Sequence, residues 1–495
     1  MKFLSEYKLE IIVFVSGAVV MILEMAGSRA MAPYLGTSLF VWTGLIGVIM
    51  SSLSIGYYWG GKLADKKADY RNLSKILFFA GIAILVMNLV KSPLLFMIQM
   101  STIDLRMGSI FGSIILFSIP SILLGVVSPY AVKLKLNSLK TSGVTVGSLY
   151  AISTAGSIFG TFLAGFFLIS YLGTTNILFL LSGILFVLSL FTYSKGFIYS
   201  RTIVIVLLCL SIFVNESLSI KNKNLGFLDI DTQYNRVIIF NDIDRDTGKP
   251  IKRMNLGNQF ASAMFLDNDS LVHQYHYYYN LAEYFRPDIT RALIMGGAGY
   301  SYQKEFLTRY PNAKLDVVEI DPGLTDLAKK YFRLKENPNL QIFHEDARVF
   351  LNKNLTKYDV VYVDALNTNE SIPFHLVTKE TVQKIYDSLN NGGVVVTNTI
   401  STLSGEKGDF LESEYLTYKS IFPQVHIFPV VSSSPNVNQN IILIGLKTDK
   451  KFDLIGIGTD YEKYLSHLWT KEIPNNGLIL TDDFSPVERF FKNLY

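Results

Sequence analysis

Three carboxylates stand at the ends of short apolar runs in the second half of the chain: Glu319, Asp346 and Asp364. Side chains at the carboxyl ends of parallel strands meet in one crevice of a sheet, where Glu319 can accept hydrogen bonds from ribose hydroxyls and Asp346 from an adenine amino group. Asp364 is suited to take a proton from an attacking amine or to stabilise a sulfonium cation. The structural alternative is that Asp364 caps the turn after its strand.

A glycine-rich turn precedes these carboxylates. Residues 295–300 read MGGAGY and follow an apolar run. Gly296, Gly297 and Gly299 carry no Cβ, so the backbone there can approach a ligand closely. The turn alone is a weak signal, but Glu319 follows it by about 20 residues, as in nucleotide-binding folds. The combination favours an adenosine site over a purely structural α/β domain.

Apolar runs alternating with helical patterns position these residues. The predicted strands are 292–295, 315–320, 340–344, 360–364 and 393–397, with predicted helices at 302–309 and 323–332. This alternation predicts a parallel sheet covered by helices, a Rossmann-like α/β arrangement with its ligand at the carboxyl ends of the strands.

A small β-region precedes the Rossmann-like part. Residues 227–239 and 253–265 alternate apolar and polar types, with DRDTG at 244–248 as a turn between them. The run HQYHYYY at 273–279 either walls the pocket or forms the aromatic core face of a helix. The predicted domains are a transmembrane helical domain at 1–220, the β-region at 221–285 and the Rossmann-like domain at 286–495.

The first 220 residues are apolar enough to lie in a membrane. A span needs roughly 20 mostly apolar residues to cross about 30 Å of hydrocarbon. About seven spans are predicted, near residues 9–33, 39–60, 73–92, 107–131, 145–171, 174–193 and 201–219. No A-x-A-like cleavage site follows the first apolar run, so that span is expected to be uncleaved. The chain is predicted to be a multi-pass protein of the cell membrane, with the lipid bilayer as a partner.

Basic residues mark one end of these spans. Loops after the second, fourth and sixth spans carry Lys62, Lys66, Lys67, Arg71, Lys133, Lys135, Lys140, Lys195 and Arg201. An excess of lysine and arginine indicates the cytoplasmic side. Seven spans that start in the cytoplasm would leave the soluble part outside, where a cytosolic cofactor is not supplied. The number of spans is therefore even, or the membrane half delivers something, or the chemistry is extracytoplasmic.

Composition argues against several classes of function. The net charge is +4 over 495 residues, and no basic cluster interleaved with aromatics indicates a nucleic-acid path, so no nucleic-acid partner is expected. The single cysteine, Cys209, excludes an intrachain disulfide and a cysteine metal site. No metal site is predicted.

The soluble half resembles the polyamine aminopropyltransferases, the spermidine synthase family, over about residues 227–450. The matching features, in chain order, are the β-region, Gln259, Tyr275, His276, the glycine turn, VEIDP at Glu319, EDA at Asp346 and YDVVYVD ending at Asp364. The segments LEMAGSRAMAPYLG at 23–36 and LTDDFSPVE at 480–488 resemble membrane-fused members of that family. The likeness covers nearly the whole chain.

The resemblance implies a role for each site residue. The adenosine part of the co-substrate would be bound by Gly296, Gly297, Gly299, Glu319, Asp346 and Ala347. Asp364 would be the general base, and the acceptor side would comprise Gln259, Tyr275, His276 and Asn367. The co-substrate would be S-adenosylmethionine or its decarboxylated form, with no prosthetic group. Methylthioadenosine would leave on alkyl transfer to a small amine, or on cyclisation without an acceptor; a homodimer is compatible with the family.

Two acidic positions of the family pattern are missing. Ala298 replaces the carboxylate expected to meet the aminopropyl ammonium, and Asn367 replaces an acid that helps bind the diamine. A charge-assisted hydrogen bond is worth roughly 1.5 to 3 kcal/mol, so two losses weaken the recognition of a cationic polyamine. Two alternatives stay open: a polyamine or nucleoside transporter or sensor with a non-catalytic binding domain, and an S-adenosylmethionine-dependent methyltransferase.

Overall fold

The computed structural model describes residues 6–101, 104–136, 142–193, 198–257, 259–365, 372–405, 408–473 and 477–490. The chain divides into two compact units. The helical unit comprises Met1–Leu225 and Asp229–Gln233, and the α/β unit comprises Gly226–Leu228 and Tyr234–Tyr495.

The helical unit is built from long apolar helices. Within the described residues they are α1 (Lys8–Leu35), α2 (Leu39–Lys66), α3 (Tyr70–Gln99), α4 (Leu105–Lys135), α5 (Ser142–Tyr171), α6 (Thr174–Thr192) and α7 (Ile198–Asn224). The first six are long and apolar enough to cross a membrane. They coincide with the first six predicted spans, which confirms the predicted multi-pass helical architecture. The seventh predicted span coincides with α7, which is not among those six.

Glycines allow the helices to pack closely. A Cβ on Gly156 of α5 would lie 2.0 Å from the Phe14 carbonyl oxygen of α1, and one on Gly160 would lie 2.5 Å from that of Ala18. No side chain fits in either space, so α1 and α5 meet backbone to backbone. Small residues at helix interfaces give such contacts in membranes.

A short strand, β1 (Leu228–Asp231), precedes a small antiparallel meander in the chain, and its residues from Asp229 onward belong to the helical unit. The meander lies in the α/β unit and consists of β2 (Arg236–Ile243), β3 (Pro250–Leu256) and β4 (Gln259–Phe265). β2 pairs with β3, and β3 with β4. The predicted turn between β2 and β3 is closed by the Gly248 N–H, which donates to the Asp244 carbonyl at 2.8 Å. Gly248 has φ +69°, a conformation that glycine adopts without strain.

The larger sheet has seven strands. After the short helices α8 (Tyr275–Tyr279) and α9 (Leu281–Phe285), the elements are β5 (Arg291–Met295), α10 (Ser301–Arg309), β6 (Lys314–Val318), α11 (Pro322–Tyr331), β7 (Leu340–Phe343), α12 (Ala347–Lys353), β8 (Tyr358–Val363), α13 (Lys379–Ser388), β9 (Leu389–Ser401), α14 (Asp409–Lys419), β10 (Gln424–Pro429) and β11 (Gln439–Leu446). Two further short helices are α15 (Glu462–Leu465) and α16 (Val487–Phe490). The strand order is β10-β11-β9-β8-β5-β6-β7.

The sheet is mixed, whereas the sequence predicted a parallel one. The five strands from β9 to β7 are parallel, but β11 pairs antiparallel with β9, and β10 pairs antiparallel with β11. The Rossmann-like core is as predicted. The difference arises because β10 and β11 follow one another without an intervening helix, and such a connection makes an antiparallel hairpin.

Both faces of the central strands are covered, which explains their unbroken apolar sequences. All six residues of β8 are buried, and its centre, Val360–Val363, is 0% exposed. A parallel strand with helices on both sides requires apolar side chains in both directions. The carboxyl ends of β5, β6, β7 and β8 therefore open onto one edge of the sheet, where the predicted site residues follow.

Candidate active site

The turn after β5 is held by the Glu319 carboxylate. Glu319 Oε2 accepts hydrogen bonds from the backbone N–H groups of Gly297 at 2.8 Å and Ala298 at 3.2 Å, while Oε1 accepts from the Asp321 N–H at 2.9 Å. Glu319 is 6% exposed. Burial raises the pKa of its carboxyl, and the three N–H donors oppose that rise. The predicted ribose-binding residue thus lies directly against the predicted glycine turn.

The three glycines of this turn are required by contacts within the protein, because a Cβ at each of them would lie too close to another part of the chain. A Cβ on Gly296, whose φ is +109°, would lie 2.7 Å from the Asp364 carbonyl oxygen. On Gly297 it would lie 2.7 Å from the Tyr300 ring, and on Gly299 it would lie 2.4 Å from Ser262 Oγ. The sequence predicted that the backbone of this turn approaches a ligand closely. In the structure, the same backbone also packs closely against other residues of the chain. Gly296 brings the turn directly beside Asp364.

Asp346 begins helix α12 as its N-cap. Its Oδ1 accepts from the backbone N–H groups of Arg348 at 2.8 Å and Val349 at 3.1 Å, which satisfies free donors of the first helical turn. Its Oδ2 lies 3.0 Å from His375 Nε2. Ala347 is the first residue of α12 and is 8% exposed. Asp346 therefore has a structural task in addition to the proposed contact with adenine.

Asp364 lies in a crevice lined by polar side chains. It follows β8 directly, and its N–H donates to the Met295 carbonyl at 2.9 Å, which aligns it with the glycine turn. Asn398 Nδ2 donates to Asp364 Oδ1 at 3.1 Å. The Tyr275 hydroxyl donates to Oδ2 at 3.4 Å, and His276 Nε2 is 3.7 Å from the same oxygen. Two of the predicted acceptor-side residues therefore meet the predicted base.

Aromatic residues before and within α8 form a buried cluster around that base. The ring centroids of Tyr275 and His276 are 4.2 Å apart, those of His276 and Tyr279 are 5.5 Å apart, and His273 lies 5.7 Å from His276. Burial and the nearby Asp364 charge raise the pKa values of Tyr275 and Tyr279 well above the usual range. Burial, followed by the neighbouring His276, lowers the pKa of His273 to about 3. The tyrosines and His273 are therefore neutral at physiological pH.

Three buried polar atoms in this cluster have no hydrogen-bond partner among the residues that the structure describes: His273 Nε2, His276 Nδ1 and the Tyr279 hydroxyl. A buried polar group without a partner costs free energy, and functional sites are a common place for one. The cluster is thus more than an aromatic core. Its polar atoms are suited to a polar ligand beside Asp364.

The remaining two acceptor-side residues are placed less directly. Gln259 is the first residue of β4, and its neighbour Phe260 packs on His273 with ring centroids 4.4 Å apart. Gln259 thus begins the strand that borders the aromatic cluster. Asn367 lies outside the described residues.

Two further side chains of this crevice, Asn398 and His375, were not predicted from the sequence. Asn398 lies within β9 and is 0% exposed, although asparagine is uncommon in strand interiors. His375 lies in a short 3-10 helix, Phe374–Leu376, and meets Asp346. The asparagine inside the apolar run VVVTNTI was a usable signal, whereas nothing in the local sequence marks His375. Among the described residues, no cluster of His, Cys, Asp and Glu could hold a metal ion.

Comparison with known proteins identifies several relatives of this chain. The family model described as the spermine/spermidine synthase domain matches residues 275–454. The chain is 32% identical over 216 residues to the polyamine aminopropyltransferase of Vibrio vulnificus strain CMCP6, covering 41% of this chain and 70% of that protein. It is 20% identical over 458 residues to polyamine aminopropyltransferase 2 of Aquifex aeolicus strain VF5, covering 90% of this chain and 89% of that protein.

Among solved structures, the chain is similar to a probable spermidine synthase from Corynebacterium glutamicum ATCC 13032. The identity is 19% and the TM-score is 0.39, over 52% of this chain and 91% of that one. The likeness to the Aquifex protein extends along the helical unit as well, since it covers nine tenths of this chain.

Proposed function

Because the chain belongs to the polyamine aminopropyltransferase family, we propose that it is an alkyltransferase that uses S-adenosylmethionine or its decarboxylated form and releases methylthioadenosine. The observation that carries this proposal is the convergence of Glu319, the glycine turn and Asp364 on one sheet edge, with Tyr275 and His276 beside Asp364. Family membership favours transfer of an aminopropyl-type group over transfer of a methyl group. A carboxylate aimed at the reacting centre favours catalysis over binding alone.

The proposed reaction is a displacement at carbon. The lone pair of the acceptor nitrogen attacks the propyl carbon attached to the sulfonium, and a C–N bond forms. The C–S bond breaks, and its electron pair goes to sulfur, which becomes the neutral thioether of methylthioadenosine. The proton lost by the amine passes to Asp364. The protein's contribution is to align the two partners and to accept that proton.

The two oxygens of Asp364 are suited to different tasks in this step. Oδ1 accepts the hydrogen bond of Asn398, whereas Oδ2 faces Tyr275 and His276. We assign proton acceptance to Oδ2. Tyr275 and His276 would then border the acceptor, and Glu319 and Asp346 would contact ribose and adenine.

The acceptor is proposed to differ from a simple dication. Ala298 offers no charge at the turn and has φ +44°, so its short side chain is held in a conformation that residues other than glycine rarely adopt. Among the described residues, the contacts of Asp364 include hydroxyl, imidazole and amide groups. This supports an acceptor with one reactive amine, or cyclisation of the donor's own amino group.

The helical unit has a basic end that we assign to the cytoplasm. Lys133 Nζ lies 2.7 Å from Asp65 Oδ1, and Lys135 pairs with Glu10, so the start of α1 and the ends of α2 and α4 lie together. This end carries the basic loops predicted from the sequence, and positively charged loops stay in the cytoplasm. With this assignment, Thr192, the last residue of α6, lies on the cytoplasmic side of the membrane.

We propose that α7 is a seventh crossing. With 27 residues it is about 40 Å long, enough to span a bilayer. Leu208 of α7 approaches Gly183 of α6, each lying near the middle of its helix, as expected for antiparallel neighbours. Beyond α7, Asp231 Oδ2 accepts from the Thr174 N–H at 3.0 Å, at the start of α6. Arg29 near the end of α1 donates to the Thr232 carbonyl at 2.8 Å.

Residues 231 and 232 therefore lie at the end of the helical unit opposite the basic loops. A chain that leaves the membrane there enters the extracytoplasmic compartment. On this proposal the transferase site is supplied from outside the cytoplasm, or its co-substrate is carried across the membrane.

The activity is tested by supplying purified full-length protein with S-adenosylmethionine or its decarboxylated form, with and without putrescine, and identifying products by mass spectrometry. Methylthioadenosine formation with an alkylated amine supports transfer, and formation without an acceptor supports cyclisation. Binding of the nucleoside with no product under any condition would favour the sensor alternative, and S-adenosylhomocysteine would indicate methyl transfer.

A further inference from the structure

A row of three polar side chains crosses neighbouring strands at the base of the crevice. Asn440 Nδ2 donates to Asn398 Oδ1 at 3.0 Å, and Asn398 Nδ2 donates to Asp364 Oδ1 at 3.1 Å. The row runs from β11 through β9 to the residue that follows β8. Asn398 is fully buried and Asn440 is half-buried.

Strand register produces this row. Val363 of β8 is aligned with Thr397 of the parallel strand β9, which brings the following residues, Asp364 and Asn398, side by side. Ile442 of β11 is aligned with Asn398. Asn440 lies two residues away from Ile442, so it shares the same face and is the diagonal neighbour of Asn398.

The direction of the donors along the row follows from chemistry. An ionised carboxylate only accepts hydrogen bonds, so Asn398 must turn its NH₂ group toward Asp364. Its carbonyl oxygen then faces Asn440, which must present its own NH₂ group. If Asn398 turned over, its carbonyl oxygen would face the carboxylate and its NH₂ group would face another NH₂ group. Asn440 thereby fixes the orientation of an amide that has no charge of its own.

We propose that Asn398 and Asn440 are positioning residues that hold Asp364 Oδ1 in place, leaving Oδ2 to receive the proton. This inference rests on the proposed function. The other titratable groups facing Asp364 in the described residues are Tyr275, His276 and Tyr279, with His273 behind them.

Asn440→Asp is the sharpest variant, because it changes one group without changing the size of the side chain. A carboxylate at 440 accepts from the Asn398 NH₂ group, which turns the Asn398 carbonyl toward Asp364. Asp364 Oδ1 then loses its donor, so kcat is expected to fall by about tenfold, with KM changed less. Asn398→Leu, which removes the donor, is expected to lower kcat in the same way.

Controls separate this role from a structural one. Thr397→Val alters the neighbouring residue of β9, which contacts Tyr418 on the other face of the strand, and should leave kcat unchanged. Melting temperatures of all variants report any general destabilisation.

A second readout does not depend on turnover. In Asn398→Leu the affinity for S-adenosylmethionine, a sulfonium, relative to methylthioadenosine, which is neutral, should fall several-fold, because the Asp364 carboxylate is no longer held in place. This loss of preference without turnover would support the positioning row while refuting the proposed reaction. Values of kcat and of this affinity ratio in Asn440→Asp and Asn398→Leu that equal those of the unmodified protein would overturn the inference, and binding of neither ligand would overturn both proposals.

Discussion

At the scale of single residues, Glu319 both stabilises the glycine turn and forms part of the proposed adenosine site. Its carboxylate already accepts three backbone N–H groups from the turn and from Asp321. A ribose that bonds to this carboxylate would therefore meet a side chain whose position is set before the ligand arrives. Preorganisation of this kind lowers the ordering cost of binding.

Glu319→Gln is expected to weaken methylthioadenosine binding by roughly 10- to 100-fold, because a charge-assisted hydrogen bond to the ligand is lost. The amide NH₂ group would face an N–H donor of the turn, or would take the place of a ribose acceptor. Isothermal titration measures the change. Glu345→Gln, which alters a carboxylate paired with Lys353 near the end of β7, is the matched control and should retain the affinity. Equal affinities in the two variants would remove Glu319 from the site.

At the scale of elements, β9 separates two different environments. Asn398 faces the crevice, whereas Thr399 Oγ1 donates at 2.7 Å to Glu414 of α14. Glu414 is 0% exposed, and its Oε1 has no hydrogen-bond partner in the described part of the chain. Burial raises the pKa of Glu414 to about 7. The folded protein therefore holds a proton on this residue that the unfolded chain releases at lower pH.

Stability should consequently fall as pH rises. A carboxyl whose pKa is raised on folding costs nothing below the unfolded value near 4.5; the cost grows through the window up to about 7 and is complete above it. Glu414→Gln removes this titration, so its melting temperature relative to the unmodified protein should increase by several degrees from pH 5 to pH 8. Glu412→Gln on the same helix is the control. A difference in melting temperature that does not vary with pH would show that Glu414 ionises in the folded protein at little cost in free energy.

The elements themselves show what the sequence could and could not predict. Strands β5 to β8 were predictable because buried parallel strands are continuous apolar runs bounded by turns. Their ends located Glu319, Asp346 and Asp364 in advance. The antiparallel direction of β11 was not predictable, because a strand's partners depend on connections and not on local periodicity. Since Asn440 and Asn398 meet only through that pairing, no local pattern could have joined them.

The same distinction applies to the binding residues. Tyr275 and His276 reach Asp364 because α8 is packed beside the end of β8, a tertiary arrangement that the resemblance supplied and periodicity did not. The dual use of Asp346 as an N-cap and as the partner of His375 also depends on tertiary structure. Sequence identified these side chains, and only the fold revealed their contacts.

At the scale of the whole molecule, the central question is the compartment in which the site works. Residues 231 and 232 are the last described contacts of the helical unit along the chain, and they lie on the side of that unit opposite the basic loops. If α7 crosses the membrane, a cysteine in the β2–β3 turn is exposed outside the cell. In a Cys209→Ser background, Arg245→Cys should react with a membrane-impermeant maleimide in intact cells. Lys67→Cys, at the basic end, should react only after lysis. Reaction of both cysteines only after lysis would place the transferase site in the cytoplasm and remove the seventh crossing.

The account depends most directly on Asp364. With full-length protein and a donor that yields methylthioadenosine, Asp364→Asn should reduce the rate of its formation by about 10²- to 10⁴-fold, the usual contribution of a general base, while methylthioadenosine still binds. Asp326→Asn, an exposed change on α11, should retain the rate. Methylthioadenosine formed by Asp364→Asn at the rate of the unmodified protein would contradict the assignment of the base and, with it, the proposed chemistry.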